Sequence, residues 1–351
     1  MSLPDSAADW RRTWSTNEAF TIRPPMLTVA AHDALSPEAR KAYDRQRIRF
    51  MGRYRRYRTR DYFTVRGALH AVMATSVPPG AIPASLTVTG PPITGLTHLS
   101  MHTAREAEHA LALTDPDATT EGHARVFRVN VPIPATPRGV YLSVMHGLDA
   151  PFSSRITQAQ ARDRAIDLLT RAGTRLLLID GIEMLWQPER KAHLASAAAY
   201  DDLARSTGVT LVYIGYDAAA TALTNGQGSR KRARFNTTVT LANYQLDYPF
   251  DPFDVGEWRH LVTLLDEDVP LLRHAPGSLT RVADALGRRC QGNVHALIAW
   301  AVGAVVAAIM SGDEKITDER LDAFLSSEPD VRGEAEARDG VKRGRAALRL
   351  V

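Results

Sequence analysis

The sequence predicts an α/β fold: a doubly wound core with a mostly parallel sheet, a basic helical arm before it and a helical domain after it. Three observations carry this. Between residues 84 and 215 short apolar runs alternate with helix-length segments, the order that builds a parallel sheet flanked by helices. Two of those runs, RLLLID at 175–180 and VTLVYIG at 209–215, are apolar almost throughout, as strands buried on both faces are. From Glu257 onward the strand signals cease and the pattern is wholly helical.

Residues 1–65 are expected to form an arm and an arginine-rich helix. The stretch is polar and punctuated by Pro4, Pro24, Pro25 and Pro37, and a helix signal begins at Ser36, a cap, followed by Pro37 and Glu38 in the first turn. That helix runs into Arg45, Arg47, Arg49, Arg53, Arg55, Arg56, Arg58 and Arg60, interleaved with Phe50, Tyr54, Tyr57, Tyr62 and Phe63. Arginines among aromatics can neutralise phosphates and stack on bases, which makes Arg53, Arg55, Arg56 and Arg58 candidate DNA contacts. The alternative is a solvated helix face whose arginines pair with acidic groups of a neighbouring subunit.

Residues 66–250 are expected to be the α/β core. A β-rich run at 84–89 leads into a glycine-bounded loop at 90–97, and an alanine-rich helix follows at 101–113. The run ARVFRVNV at 124–131 alternates as a strand does. Helical stretches are expected at 137–148, 157–173 and 190–206. Residues 251–327 form the helical lid, with helices near 261–265, 279–289, 294–310 and 318–325, and 328–351 is a charged, glycine-interrupted tail.

The chain has 351 residues, 44% of them hydrophobic, enough for a sizeable core. Its net charge is only +4, so the basic residues inform through their placement. A single cysteine, Cys290, excludes an internal disulfide framework and a cysteine-rich zinc site. Asp5, Asp9, Arg11 and Arg12 interrupt the first twenty residues, where a signal peptide needs an apolar stretch. The most apolar run, 294–310, is broken by His295 and Gly303 and is expected to fall short of a membrane span. A cytoplasmic protein is the expectation.

The loop carries the chemistry. In a phosphate-binding loop, GxxxxGK[ST], the glycines let backbone N–H groups converge on phosphate, the lysine reaches the outer oxygens, and the hydroxyl holds magnesium. Gly90, Gly95 and Thr97 stand at the expected positions, with Thr94 in the loop, and Leu96 replaces the lysine. Losing a charge-assisted contact of roughly 1.5–3 kcal/mol weakens nucleotide binding about ten- to a hundred-fold. Asp180, at the end of an apolar strand, is the expected magnesium carboxylate. The next residue, often a water-activating glutamate in such sites, is Gly181, and a general base supplies about 10² to 10⁴ in rate. Glu183 is the local substitute. His98, His102 and His109 fall near one helical face, without a carboxylate to complete a metal set.

The order of these features resembles the TniB/TnsC family of AAA+ transposition regulators from about residue 36 to 325. The resemblance rests on the arginine-rich helix, the Gly90 loop, and IDGIEML at 179–185 where that family usually reads D-E-I-H-N-L. It continues with VYIGYD at 212–217, GSRKRARF at 228–235, EWR at 257–259 and RRCQGNVHAL at 288–297. It implies an AAA+ P-loop core, ATP and Mg2+ as cofactors that are weakened or lost here, and an oligomeric ring or filament on double-stranded DNA that communicates with a DDE transposase. By position Arg232 or Arg234 would be an arginine finger; alternatively Arg230, Lys231, Arg232 and Arg234 form a basic loop on DNA. Other readings are a non-hydrolysing scaffold beside an active AAA+ homologue, an ATPase rebuilt around Glu183, and the fold recruited to phage defence or plasmid maintenance.

Overall fold

A computed structural model describes residues 3–53, 57–75, 83–91, 94–114, 123–185, 190–216, 236–246 and 251–326. Five parallel strands form one sheet: β1 (Ser85–Thr89), β2 (Val126–Asn130), β3 (Leu176–Asp180), β4 (Thr210–Ile214) and β5 (Asn236–Thr240). Their spatial order is β2-β3-β4-β1-β5, so β4 lies between β1 and β3. The apolar runs that predicted β3 and β4 are buried along their whole length. Register pairs Val88 with Ile214, Ile214 with Asp180, and Asp180 with Asn130. The carboxyl ends of β1, β4, β3 and β2 are therefore level, which brings the loop after β1 and Asp180 to one edge.

Helices cover both faces. On one, α6 (Pro137–Gly147), α7 (Gln158–Arg171) and α8 (Arg190–Thr207) pack on Phe127, Val129, Leu177, Ile179, Leu211 and Tyr213. Their starts are local: Thr136 caps α6 ahead of Pro137, and Thr157 with Gln160 forms a reciprocal capping box on α7. On the other face, α1 (Ala7–Thr21), α4 (Arg60–Ala74) and α5 (Leu96–Thr114) cover Leu86, Val88, Val126, Leu178, Val212 and Ile214.

The arm expected from the sequence is helical and firmly seated. Trp10 and Trp14 of α1 are buried beside the sheet with their rings 5.6 Å apart, and the Trp10 indole N–H donates to Glu108 at 2.9 Å. A short helix, α2 (Val29–Asp33), leads to α3 (Pro37–Met51), which packs into the helical domain. That domain contains α9 (Pro252–Asp268), α10 (Ala283–Cys290), α11 (Val294–Ser311) and α12 (Asp318–Ser326) around Trp258, Leu261, Leu265, Leu286 and Leu297. Cys290 is buried, which pushes its thiol up to about 12 and leaves it an inert packing group.

Contrary to the sequence expectation, α11 is long and apolar enough to cross a membrane by length and composition. His295 and Gly303 do not interrupt it, because Asn293 caps the helix ahead of His295 and glycine weakens a helix without ending it. Its Leu297, Ala301, Val305 and Ala308 form a buried stripe in the helical domain. The tail from 327 lies outside the described residues.

Candidate nucleotide site

Residues 90–91 and 94–97 of the loop after β1 are described. A side chain at Gly90 would come within 2.6 Å of the Leu241 carbonyl oxygen, so the backbone passes where only glycine fits. Gly95 has φ +82, a left-handed conformation glycine adopts without strain. The Thr94 hydroxyl donates to the Pro91 carbonyl at 2.8 Å and closes the loop, and α5 begins at Leu96. The first-turn N–H groups of a helix have no intrahelical acceptor and carry the positive end of the dipole, which suits an anion. Thr97 lies in that turn, half-buried. Leu96 is buried in the apolar cluster under α5, so the position of the lysine is given over to the core.

Asp180 is 8% exposed and already has a cation. Arg128 of β2, itself 4% exposed, donates from Nε at 2.9 Å and Nη2 at 2.7 Å to Asp180 Oδ2. The other oxygen, Oδ1, accepts from the Gly181 N–H at 2.9 Å. Arg128 is held further by the Asn130 side chain at 2.7 Å and by the carbonyl of Pro4, ahead of α1, at 2.9 Å. A carboxylate offers about four acceptor positions, and three of Asp180's are taken. Magnesium in this fold would be held by Thr97 and Asp180. Arg128 neutralises that carboxylate, so Asp180 as placed does not fit a divalent ion.

Gly181 has φ +82. Glutamate at the position of the water-activating residue would therefore be strained whatever space surrounds it. Glu183 turns back toward the site from a short 3₁₀ turn, Ile182–Leu185. Its carboxylate lies against Gly215, where a Cβ would overlap it. Burial pushes the Glu183 carboxyl up, the nearby Asp180 adds to this, and its own backbone N–H and the Tyr216 hydroxyl oppose it. Tyr216 is raised in turn, by burial and then by Glu183.

The three histidines of α5 go to three different neighbours. His98 faces His295 of α11 at 6.5 Å between ring centres, joining the helical domain to the loop helix. His102 packs edge-on against Trp14, and His109 lies 3.8 Å from Glu18. Sequence reasoning missed Arg128 and His295, while Tyr216 lay in the VYIGYD segment it had singled out. The one signal for Arg128 was a charge two residues from Val126 on a strand face that proves to be covered by α1.

The basic segment divides. Arg47 is fully buried between Asp44 and Glu314, Arg53 pairs with Asp268 at 2.8 Å and lies over Phe50, and Arg60 pairs with Asp254 at 2.7 Å. These charges are engaged within the chain and tie the arm to the helical domain. Arg45 and Arg58 are exposed. Arg55, Arg56, Arg230, Lys231, Arg232 and Arg234 lie outside the described residues, as does Asp217. Asp44 and Glu314 also lie with His32 in a cluster of metal-ligand type, but the Arg47 guanidinium already pairs with both carboxylates.

Solved structures share this architecture. The chain is similar to the Aeropyrum pernix ORC1 protein in complex with DNA (18% identity, TM-score 0.53, 85% of this chain and 70% of that one). It is also similar to the Aeropyrum pernix ORC2 protein in ADPNP–ADP complexes (14%, 0.56, 76% and 67%) and to Cdc6p from Pyrobaculum aerophilum (17%, 0.50, 77% and 67%). At these identities the likeness establishes the fold, that of an AAA+ P-loop ATPase. A comparison with curated proteins returns no match. The family model described as "Bacterial TniB protein" matches residues 47–244, more than half of the chain, from the arginine-rich helix through every strand of the sheet. On that match the chain belongs to the TniB family of transposition-associated AAA+ proteins.

Proposed function

We propose that this chain is a DNA-associated, oligomeric AAA+ regulator of transposition that marks target DNA and recruits a DDE transposase, with ATP hydrolysis impaired or absent. The observation that carries the reading is a glycine-bounded loop and a strand-end aspartate at one sheet edge, with Leu96 and Gly181 at the positions of the two reactive side chains. Gly90, Thr94, Gly95 and Thr97 cradle phosphate through backbone and hydroxyl groups. Duplex DNA as the partner is supported by the TniB family and by the ORC1 relative in complex with DNA. Among the candidate arginines Arg58 is exposed to meet it, with Arg55, Arg56, Arg230 and Lys231 as further contacts. Arg232 or Arg234 reaches the neighbouring subunit. Such contacts go mainly to phosphates and do not read sequence, and the cytoplasm is the compartment this reading assigns.

The test is DNA binding by the purified chain across a salt series, with ATP turnover measured in parallel. We expect log affinity to fall linearly with log salt, with no turnover above background. DNA-stimulated hydrolysis would sink the impaired-site reading and make Glu183 the next residue to change. A second reading, a non-hydrolysing scaffold beside an active AAA+ homologue, is favoured by the Arg128–Asp180 pair, which needs no turnover to persist. Co-purification with such a homologue, unaffected by removal of nucleotide, distinguishes it.

A further inference from the structure

We propose that Arg128 is the resident counter-cation of Asp180, and that this chain takes up a nucleoside polyphosphate without a divalent metal ion. The inference rests on the Gly90–Gly95 loop being a phosphate cradle, as read above.

Magnesium requires near-octahedral oxygen ligands and keeps most of its waters, so it binds where a carboxylate brings a full, accessible negative charge. Asp180 has neither property. Two guanidinium N–H groups share its Oδ2, at 2.9 and 2.7 Å, and the Gly181 N–H takes a position on Oδ1. Both partners are at least nine-tenths buried, so the pair is weakly screened by solvent. Arg128 cannot simply swing away, because its Nη1 donates to the Pro4 carbonyl and its Nη2, shared with Asp180, also donates to the Asn130 side chain. A divalent ion at Asp180 would either sit beside this guanidinium or displace it and leave a buried, uncompensated arginine, which is strongly unfavourable.

The consequence for the ligand follows from charge. In a site of this kind the metal cancels the repulsion between the strand-end carboxylate and the phosphates. Here Arg128 cancels the carboxylate internally, so metal-free polyphosphate meets a neutral pair on one side and helix N–H groups on the other. Leu96 contributes no charge, so affinity is modest, and its metal requirement is removed rather than weakened.

The test is titration of the full-length chain with a fluorescent ADP analogue, in excess magnesium and in excess EDTA. We expect the two affinities to agree within about twofold, well inside the tenfold that marks a distinct binding step. An affinity at least about tenfold tighter with magnesium overturns the proposal. No binding under either condition also overturns it, but leaves the impaired-hydrolysis reading standing; magnesium-dependent turnover would remove both. Arg128→Met uncovers the carboxylate and should lower affinity in EDTA by about tenfold or more, with recovery in magnesium. Arg128→Lys keeps a cation and should retain metal independence. Should Arg128→Met fail to fold, judged by circular dichroism and gel filtration, the wild-type comparison and Arg128→Lys still decide.

Discussion

Arg47 of α3 and Glu314, 267 residues later, form a two-pronged ion pair at 2.5 and 2.8 Å. Arg47 also donates to the Pro270 carbonyl and to Asp44, and its fixed charge has no exposure to water. Removing one partner of such a pair leaves the other charge buried and costs about 3–5 kcal/mol. Arg47→Ala should therefore destabilise the helical domain by that order in urea unfolding. Arg47→Met with Glu314→Leu should recover much of the loss, since apolar replacement of both partners avoids the stranded charge.

The arm is bound by aromatic packing as well as by charge. Trp10 is fully buried and Trp14 nearly so, against α5 and the sheet. Trp10→Ala opens a large cavity and loses the bond to Glu108, so a destabilisation of about 3–5 kcal/mol is expected. Hydrogen exchange should show faster exchange in α1 and along β2. Unchanged protection there would mean that α1 contributes little to the core.

Strands β3 and β4 were legible because a parallel sheet covered on both faces demands runs such as LLLID, whereas β5, NTTVT at a largely exposed edge, carries no such run. The two glycines of the loop were legible because close backbone approach at Gly90 and positive φ at Gly95 leave a glycine signature. Helix α1 was passed over although Ala7, Trp10, Trp14 and Asn17 repeat at helical spacing and all are buried; four positions on a polar background make a faint signal. Helix α4 hid its Tyr62, Val65, Leu69 and Val72 stripe behind the arginines before it. Charge was the least legible property. No local pattern separates Arg47, sealed against Glu314, from Arg58, which faces solvent, and Arg128 acquires its role only when folding brings β3 beside β2.

Glu183 gives the site a pH signature. Its folded pKa is raised above the ordinary 4.5 by burial and by Asp180. The folded chain therefore holds this proton more tightly than the unfolded chain, and the stability it brings is full below 4.5 and lost as pH rises through the raised value. Glu183→Gln removes that loss. The variant should melt higher than wild type near neutral pH and gain little near pH 4. An equal gain at both would show that the carboxylate is not the cause.

His98 acts in the opposite direction. Burial, with His295 close by, pushes it down from 6.5 to about 4. Between those values the unfolded chain binds a proton that the folded chain refuses, so the stability His98 confers is full above 6.5 and is lost as pH falls toward 4. Because His98 joins the loop helix to the helical domain, acid should loosen that junction before the sheet melts. His98→Leu should show a smaller fall in melting temperature between about pH 7 and pH 5 than wild type, with the difference absent above pH 7.

Restoring the two missing side chains should not give equal returns. Leu96 opens α5 with its side chain in the core, and a lysine there can lay its stem along the same apolar surface while its ammonium reaches the loop. Leu96→Lys should tighten nucleotide binding about ten- to a hundred-fold, the value of one charge-assisted contact. Gly181→Glu meets a backbone at φ +82, where a non-glycine residue costs roughly 1–2 kcal/mol, although a Cβ there would make only ordinary contact with Glu183 and Met184. It should lower the melting temperature and leave turnover near background, even beside the lysine. Calorimetric titration with ATP and a coupled turnover assay on each single variant separate these effects. Turnover recovered by Gly181→Glu alone would mean that the strand end rearranges when glutamate is present, and that Gly181 is a replaceable loss.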